Sequence, residues 1–299
     1  MKKYIGIDLG GTHVRVGVID EKGNVLESVK SVSYGKEGRK KVVDNIISLI
    51  KTLDYKKCVA IGMCVPGPVD AKKNVMMMST NIKGLKGYDI AKDIKKATGL
   101  DTYLDNDANI AALAEACVGA GAGKDIVYYV TQSTGIGGGL VINENVISGK
   151  NGYAGEIANI IIDRNGEKIN HLNAGAVENE ASGTAMARKA KAIYKKDITA
   201  REIFALAKQD DPKAKKIVSD MSYDMAQLLS TIGHVVDPDC FVLGGGCTSA
   251  SSVYFKDLKK HYKEMVHEPM KKTPILKAKL AEPGLIGAGM LARVRSKKK

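Results

Sequence analysis

The sequence contains no tryptophan and only three phenylalanines among 299 residues, and no basic stretch is interleaved with aromatics. A single-strand or RNA binder stacks bases on such rings, and a nucleic-acid footprint clusters its cations into a stripe. Here the lysines scatter along candidate helices: Lys40/Lys41, Lys189/Lys191/Lys195/Lys196, Lys213/Lys215/Lys216, Lys259/Lys260, then the tail Lys297-Lys298-Lys299. The 46 Lys+Arg against 33 Asp+Glu, a formal charge of +13, therefore read as solvated surface that helps gather an anionic substrate. No nucleic-acid partner is expected. No apolar run approaches the ~18 residues of a membrane span, and Asp8 interrupts the N-terminal apolar stretch before it can form a signal-peptide core. The five cysteines (Cys58, Cys64, Cys117, Cys240, Cys247) stand singly, without a CxxC pair and odd in number. That usage argues against a bridged secreted scaffold and for buried reduced thiols. A cytoplasmic enzyme without a membrane partner is the expectation.

What is present is a globular composition, 44% hydrophobic and 26% charged, at a length that suits two domains or one large one. Alternating apolar residues predict strands near 4–9, 13–19 and 24–31, an antiparallel meander turning at Asp20-Glu21-Lys22-Gly23. A helix around 38–52, a buried strand at 59–65, a helix near 89–98 and a strand at 102–106 follow. The second half repeats the logic, with strands at 126–131 and 138–143 around a glycine-rich turn. Helices around 175–192, 199–208 and 213–235 lead to a strand at 240–243, then helices near 254–267 and 286–294. Strands alternating with helices after a meander predict an α/β protein with mixed sheets.

Three strand ends carry glycine. Asp8-Leu9-Gly10-Gly11-Thr12 joins the first two strands, Thr131-Gln132-Ser133-Thr134-Gly135-Ile136-Gly137-Gly138-Gly139 joins a later pair, and Gly244-Gly245-Gly246 ends the strand that follows Asp237-Pro238-Asp239. Glycine lets backbone N–H groups approach an anion closely, Thr12 adds a hydroxyl, and Asp8 can hold Mg²⁺ directly or through water. Each loop alone is equally an ordinary turn. Three in one chain point to a nucleotide, its adenosine against Gly244-Gly245-Gly246. Gly123-Lys124 is not a Walker A loop, because Asp125 follows where Ser or Thr is needed, and no G-x-G-x-x-G joins a strand to a helix. Asn106-Asp107 ends a strand ahead of Ala108-Asn109-Ile110, so Asp107 is either an N-cap or a general base.

These loops, with Val65-Pro66-Gly67-Pro68-Val69-Asp70, Ser79-Thr80-Asn81-Ile82-Lys83-Gly84, Asp105-Asn106-Asp107-Ala108-Asn109, Gly152-x-x-Gly155-Glu156 and Glu178-x-x-Ala181-Ser182-Gly183, run in one order from residue 4 to Ile286-Gly287-Ala288-Gly289. The chain resembles the ROK family of bacterial sugar kinases and repressors, within the sugar kinase/actin/Hsp70 superfamily. The resemblance implies a two-domain ribonuclease H-like ATPase fold. Residues 1–107 plus about 286–299 would make one α/β domain and 108–285 the other, with the active-site cleft between them. It implies a glucokinase-like, ATP- and Mg²⁺-dependent hexokinase acting at a hydroxyl, most naturally the 6-OH, and by analogy a homodimer. Asp107 becomes the catalytic base. Gly67, Asn81, Asn106, Glu156, Asn159 and Glu178 become sugar-binding positions. Gly10, Gly11, Thr12, Thr134, Gly135, Gly244, Gly245 and Gly246 bind ATP, and Asp8 holds Mg²⁺. Without the resemblance, Glu156 and Glu178 are surface glutamates and Gly67 a turn residue.

One departure stands out. Most ROK members carry a His and three Cys that together bind structural zinc; here those positions read Asn159, Ile169, His171 and Ala176. One His cannot close a four-ligand zinc site, so no zinc is expected, and Asn159 predicts an altered sugar pocket. Alternatives stay open: a non-catalytic sugar-sensing paralogue, a kinase for an N-acetylhexosamine, allose or fructose, and polyphosphate as donor. A DNA-binding repressor is not expected, because the first strand at Tyr4 leaves no room before it for a helix-turn-helix domain.

Overall fold

The structure, a computed structural model, describes residues 1–79 and 82–297. The meander is β1 (Lys3–Leu9), β2 (His13–Asp20) and β3 (Val25–Val32). The turn from β2 to β3 is held by Asp20, whose carboxylate accepts from the backbone N–H groups of Lys22 and Asn24 and from the Asn24 amide. Then come α1 (Arg39–Lys51), β4 (Ile61–Val65), the short hairpin β5 (Val69–Asp70) and β6 (Val75–Met76), α2 (Ile90–Thr98), β7 (Thr102–Asn106) and α3 (Asp107–Val118). The Asp89 side chain caps α2 at Lys92 N, and Gly99 ends the helix at φ 78°. Next are β8 (Ile126–Gln132), β9 (Ile136–Ile142), β10 (Asn145–Val146), α4 (Val177–Ala181), α5 (Gly183–Tyr194), α6 (Ala200–Lys208) and α7 (Pro212–Val236). The chain continues with β11 (Cys240–Gly244), α8 (Ser251–Met265), β12 (Ile275–Lys277) and α9 (Pro283–Ser296).

The helix expected over 175–192 is two helices. Ser182 is extended (φ −72°, ψ 166°), and its hydroxyl accepts from Ala185 N, so it ends α4 and caps α5. A serine is as good a cap as it is a poor helix interior residue. The two- and three-residue strands β5, β6, β10 and β12 are too short to show a period, and the alternation does not predict them.

The chain forms two compact units. The first comprises Met1–Asp125, Gly139–Ala154 and Lys279–Lys299. Its sheet runs β3-β2-β1-β4-β7, antiparallel through the meander and parallel from β1 to β4 and β4 to β7. The parallel registers pair Asp8 with Cys64 and Cys64 with Asp105, so three polar or polarisable residues lie in one row. Beneath them Ile5, Ile7, Val16, Ile46, Ile50, Ile61, Met63 and Leu104 form a continuous core. Helix α9 lies directly on the sheet. A Cβ on Gly62 would fall 1.8 Å from the carbonyl oxygen of Ala288, an approach only glycine permits. Buried Glu115 on α3 accepts from the backbone N–H groups of Lys279 and Leu280 through Oε1 (2.9 and 2.8 Å) and of Ala120 through Oε2 (2.7 Å).

The second unit is Ile126–Gly138 and Gly155–Ala278. Its strands lie in the order β8-β11-β12, with β11 parallel to both neighbours. Tyr128, Phe241, Tyr254 and Tyr262 fill the core, with Phe204 of α6 stacked on Tyr254 at 5.6 Å. Among the described residues no helix is long and apolar enough to cross a membrane.

Candidate active site

In the first unit, the loop after β1 turns tightly, with Gly10 N–H donating to His13 O at 2.9 Å. Ser33, just after β3, anchors the loop: its hydroxyl donates to Gly11 O (2.7 Å) and its N–H to Thr12 O (2.9 Å). Gly11 and Thr12 are exposed. They line a cavity of about 600 Å³ with Asp8, Gly10, His13, Arg15, Lys30 and Glu282. Arg15 pairs with Glu282, and Lys30 sits opposite Arg15 in the β2–β3 register. No local pattern in the sequence marks those two cations.

At the end of β7 the structure separates cap from candidate base. The N-cap of α3 is Asn106, whose Oδ1 accepts from Asn109 N at 2.7 Å. Asp107 is the first helical residue, exposed, with its carboxylate accepting from the N–H of Ala108. Asn106 is buried; its Oδ1 is committed to the cap while its amide N–H groups stay available to a ligand. Asp8 senses Asp107. Burial pushes the Asp8 carboxyl above the usual carboxylate range, the Cys64 thiol donating to it opposes the rise, and the Asp107 charge adds to it.

In the second unit, the loop from Ser133 to Gly135 is bolted down from two sides. The first turn of α5 grips it through Gly183 N to Ser133 O (2.8 Å) and through the Thr184 hydroxyl and N–H to Thr134 O (2.8 and 3.3 Å). From α4, Glu178 Oε2 accepts the Ile136 N–H at 2.8 Å. A Cβ on Gly135 would fall 2.3 Å from that oxygen. Glu178 is half-buried, with Oε1 left for a ligand. Gly244, at the end of β11, is buried, while Gly245 adopts φ 87° and presses on the Gln132 backbone. Thr134 and Gly246 line one cavity of about 560 Å³, together with Thr184, Arg201, Phe204 and Cys247. The first two glycine-rich loops thus fall in different units, and the third shares a cavity with the second.

The remaining positions are dispersed. Gly67 takes φ 89° in the turn between β4 and β5, in the first unit. Asn81 lies outside the described residues. In the second unit Glu156 and Asn159 are exposed around a short 3₁₀ turn. Asn159 is half committed: its Oδ1 accepts from Asn173 N at 2.6 Å, and its carbonyl accepts from the Asn173 amide at 3.2 Å. The intervening loop closes on itself through Ile162 N to Gly175 O (2.9 Å) and Gly175 N to Glu167 O (3.2 Å). A Cβ on Gly175 would strike Asp163 O at 1.6 Å.

The donor set around Asp8 fits Mg²⁺. It offers two hard carboxylates, Asp8 and Asp107, close enough for one charge to raise the other, beside N–H groups suited to phosphate. Such an ion keeps waters and substrate phosphates as its other ligands. Zinc does not fit. Asn159, Ile169 and Ala176 bring no thiolate or imidazole, and His171 alone cannot close a four-ligand site.

A mixed α/β chain with glycine loops at three strand ends and an exposed carboxylate heading a helix defines a nucleotide-using phosphotransferase of the actin/Hsp70-like class. The ROK family model matches residues 4–295, and the chain belongs to the ROK family. An N-acetyl-D-glucosamine kinase from Photobacterium profundum is 32% identical over 96% of this chain and 98% of its own. The ROK hexokinase from Thermus thermophilus superposes with a TM-score of 0.90 at 33% identity, covering 99% of this chain and 100% of its own. A ROK glucokinase from Streptomyces griseus, solved with glucose and AMPPNP, gives 0.76 at 28% identity over 98% and 99%.

Proposed function

We propose that this chain transfers the γ-phosphoryl group of Mg²⁺–ATP to the 6-hydroxyl of a hexose, glucose or a close relative, in the cytoplasm. The coarser statement is secure: membership of the ROK family, with kinases as relatives, makes it an ATP-dependent sugar phosphotransferase. Asp107 carries the finer reading, because it heads α3 exposed and relieved of capping by Asn106. As general base it accepts the proton of the attacking hydroxyl, help worth roughly 10²–10⁴-fold. Asn106 through its amide, Glu156, Glu178 through Oε1, Asn159 through its amide, Asn81 and Gly67 are the proposed sugar-binding positions. Gly10, Gly11 and Thr12 hold phosphate through N–H groups and a hydroxyl. Thr134, Gly135, Gly244, Gly245 and Gly246 hold the rest of the nucleotide, and the cavity beside Phe204 suits a nucleoside better than a polyphosphate chain. Mg²⁺, when bound at Asp8, supplies charge neutralisation on the transferring phosphoryl group. Positioning and electrostatics supply most of the rate in such reactions.

The test is Asp107→Ala in a coupled assay across glucose, mannose, allose, fructose, N-acetylmannosamine and N-acetylglucosamine. Phosphorylation should fall roughly 10²–10⁴-fold while calorimetry still detects sugar and nucleotide. Turnover near wild type would refute the assignment. The N-acetylglucosamine kinase relative makes an N-acetylhexosamine the second reading, and the same panel separates the two.

A further inference from the structure

Helix α4 is five residues long, too short to hold itself together in water, yet it carries Glu178. A helix end leaves its last four carbonyls without intrahelical donors. Here each of the four is answered. Glu178 O accepts from Ser182 N at 3.3 Å. The next three carbonyls each take a side chain: Asn179 O accepts from Arg188 Nη2, Glu180 O from Lys189 Nζ at 2.9 Å, and Ala181 O from Gln132 Nε2 at 2.7 Å. Arg188 and Lys189 are neighbours on α5, and both are cations, the sign that suits a helix C-terminus. Lys189 is held in turn by Glu180 Oε2 (3.1 Å) and Asp224 Oδ2 (3.6 Å). Gln132, at the end of β8, is 1% exposed. Its Oε1 accepts from the Tyr254 hydroxyl at 3.3 Å, which sets the end of the amide that faces Ala181.

We propose that Arg188 and Lys189, together with Gln132, are the positioning residues for Glu178. Helix α5 then sets both parts of the second unit's site at once. Its first turn grips Ser133 and Thr134 through Gly183 and Thr184, and its second turn holds α4. Glu178 joins the two grips, because its Oε2 accepts the Ile136 N–H directly after that loop. The reach of two side chains along one helix thereby fixes where Glu178 Oε1 stands relative to the loop. Neither cation lines the cavity shared by Thr134 and Gly246, so the clamp acts on the glutamate rather than on the nucleotide. The role of Glu178 toward sugar rests on the function proposed above; the clamp itself does not.

Arg188 is the point to cut, because Lys189 also serves Glu180 and Asp224. Arg188→Met keeps an apolar stem and removes the donor. Its kcat/KM for sugar should fall about 10- to 100-fold through misplacement of the carboxylate, with KM for ATP unchanged because Gly183 and Thr184 still hold the loop. Arg188→Lys keeps one charged donor and should lose no more than about fivefold. Arg188→Gln, the variant to use if methionine does not fold, should show the same split between sugar and ATP. In a Glu178→Gln background Arg188→Met should cost almost nothing further, since both changes act through one carboxylate. Amide exchange at Ile136, followed by NMR in the sugar-free protein, should quicken in Arg188→Met as Glu178 Oε2 withdraws. The proposal is overturned if Ile136 exchange is unchanged, if Arg188→Met costs as much without Glu178 as with it, or if sugar and ATP kinetics worsen together. The exchange measurement reads the clamp whatever Glu178 binds. Quickened exchange with unchanged sugar kinetics would refute the sugar role of Glu178 and leave the clamp standing.

Discussion

Gly135→Ala probes the tightest contact in the second unit's part of the site. Gly135 is not in the left-handed region, so alanine costs nothing in backbone strain and the effect is steric alone. The new Cβ would sit 2.3 Å from Glu178 Oε2, which itself accepts the Ile136 N–H at 2.8 Å. To reach ordinary contact the carboxylate must retreat by roughly an ångström, which stretches that hydrogen bond past its useful range. A hydrogen bond to a charged acceptor is worth about 1.5–3 kcal/mol, or roughly 10- to 150-fold in rate if fully lost in the transition state. Because one glutamate serves both the loop and the sugar in the proposed site, both KM for sugar and kcat should worsen. The loop's grip on α5 through Thr134 O remains, so the melting temperature should hold within a few degrees. The assay is coupled spectrophotometry with sugar and ATP varied separately. Kinetics within twofold of wild type would refute the claim that Glu178 is held by Gly135 in its working position.

Asn159→His tests the sugar pocket. The substitution replaces the Oδ1 that accepts from Asn173 N and leaves the backbone carbonyl that accepts from the Asn173 amide, so the preference profile across hexoses should change through the side chain alone, and an unchanged profile would remove Asn159 from the pocket. Asp224 on α7 carries a stability prediction. Burial pushes its carboxyl up to about 6, against the opposing charge of Lys189 and with help from Glu180 and Asp220. The folded form then binds the proton more tightly than the unfolded chain, so this contribution to stability is fullest below about pH 4 and is lost as pH rises to about 6. The rise from an ordinary aspartate is worth at most about 3 kcal/mol, and urea melts of Asp224→Asn should show a flatter loss over that window and a gain at neutral pH. Glu115→Gln replaces one acceptor by an N–H₂ facing backbone N–H groups; a loss of about 2 kcal/mol in the same melts is expected.

Much of this was legible in the residues. The opening meander follows from period-two alternation closed by Asp20 and a glycine. The three glycine-rich loops were legible as strand ends, and they follow β1 and β8 and close β11 as expected. Other features depended on distance in space. Glu178 meets Ile136 across 42 positions, and no local pattern marks that. Asn106 and Asp107 are both good caps on paper; only the bond from Asn109 N to Asn106 Oδ1 assigns the role. Ser182 hid a helix break because the apolar spacing on its two sides happens to stay in phase. Glu115 carries no local signal, since burial, not identity, is what makes it matter.

The clasp between Glu115 and the backbone of Lys279, 164 residues apart, has a consequence in time. A ribosome adding about 5–20 residues per second exposes α3 and the parallel strands roughly 8–33 seconds before α9 exists to cover them. The second unit, all of which is threaded between, emerges whole in that interval and can fold first. The nascent first unit must wait with an uncovered apolar sheet face, so any lesion that delays or removes α9 should send the protein to chaperones or inclusion bodies rather than merely slow the enzyme.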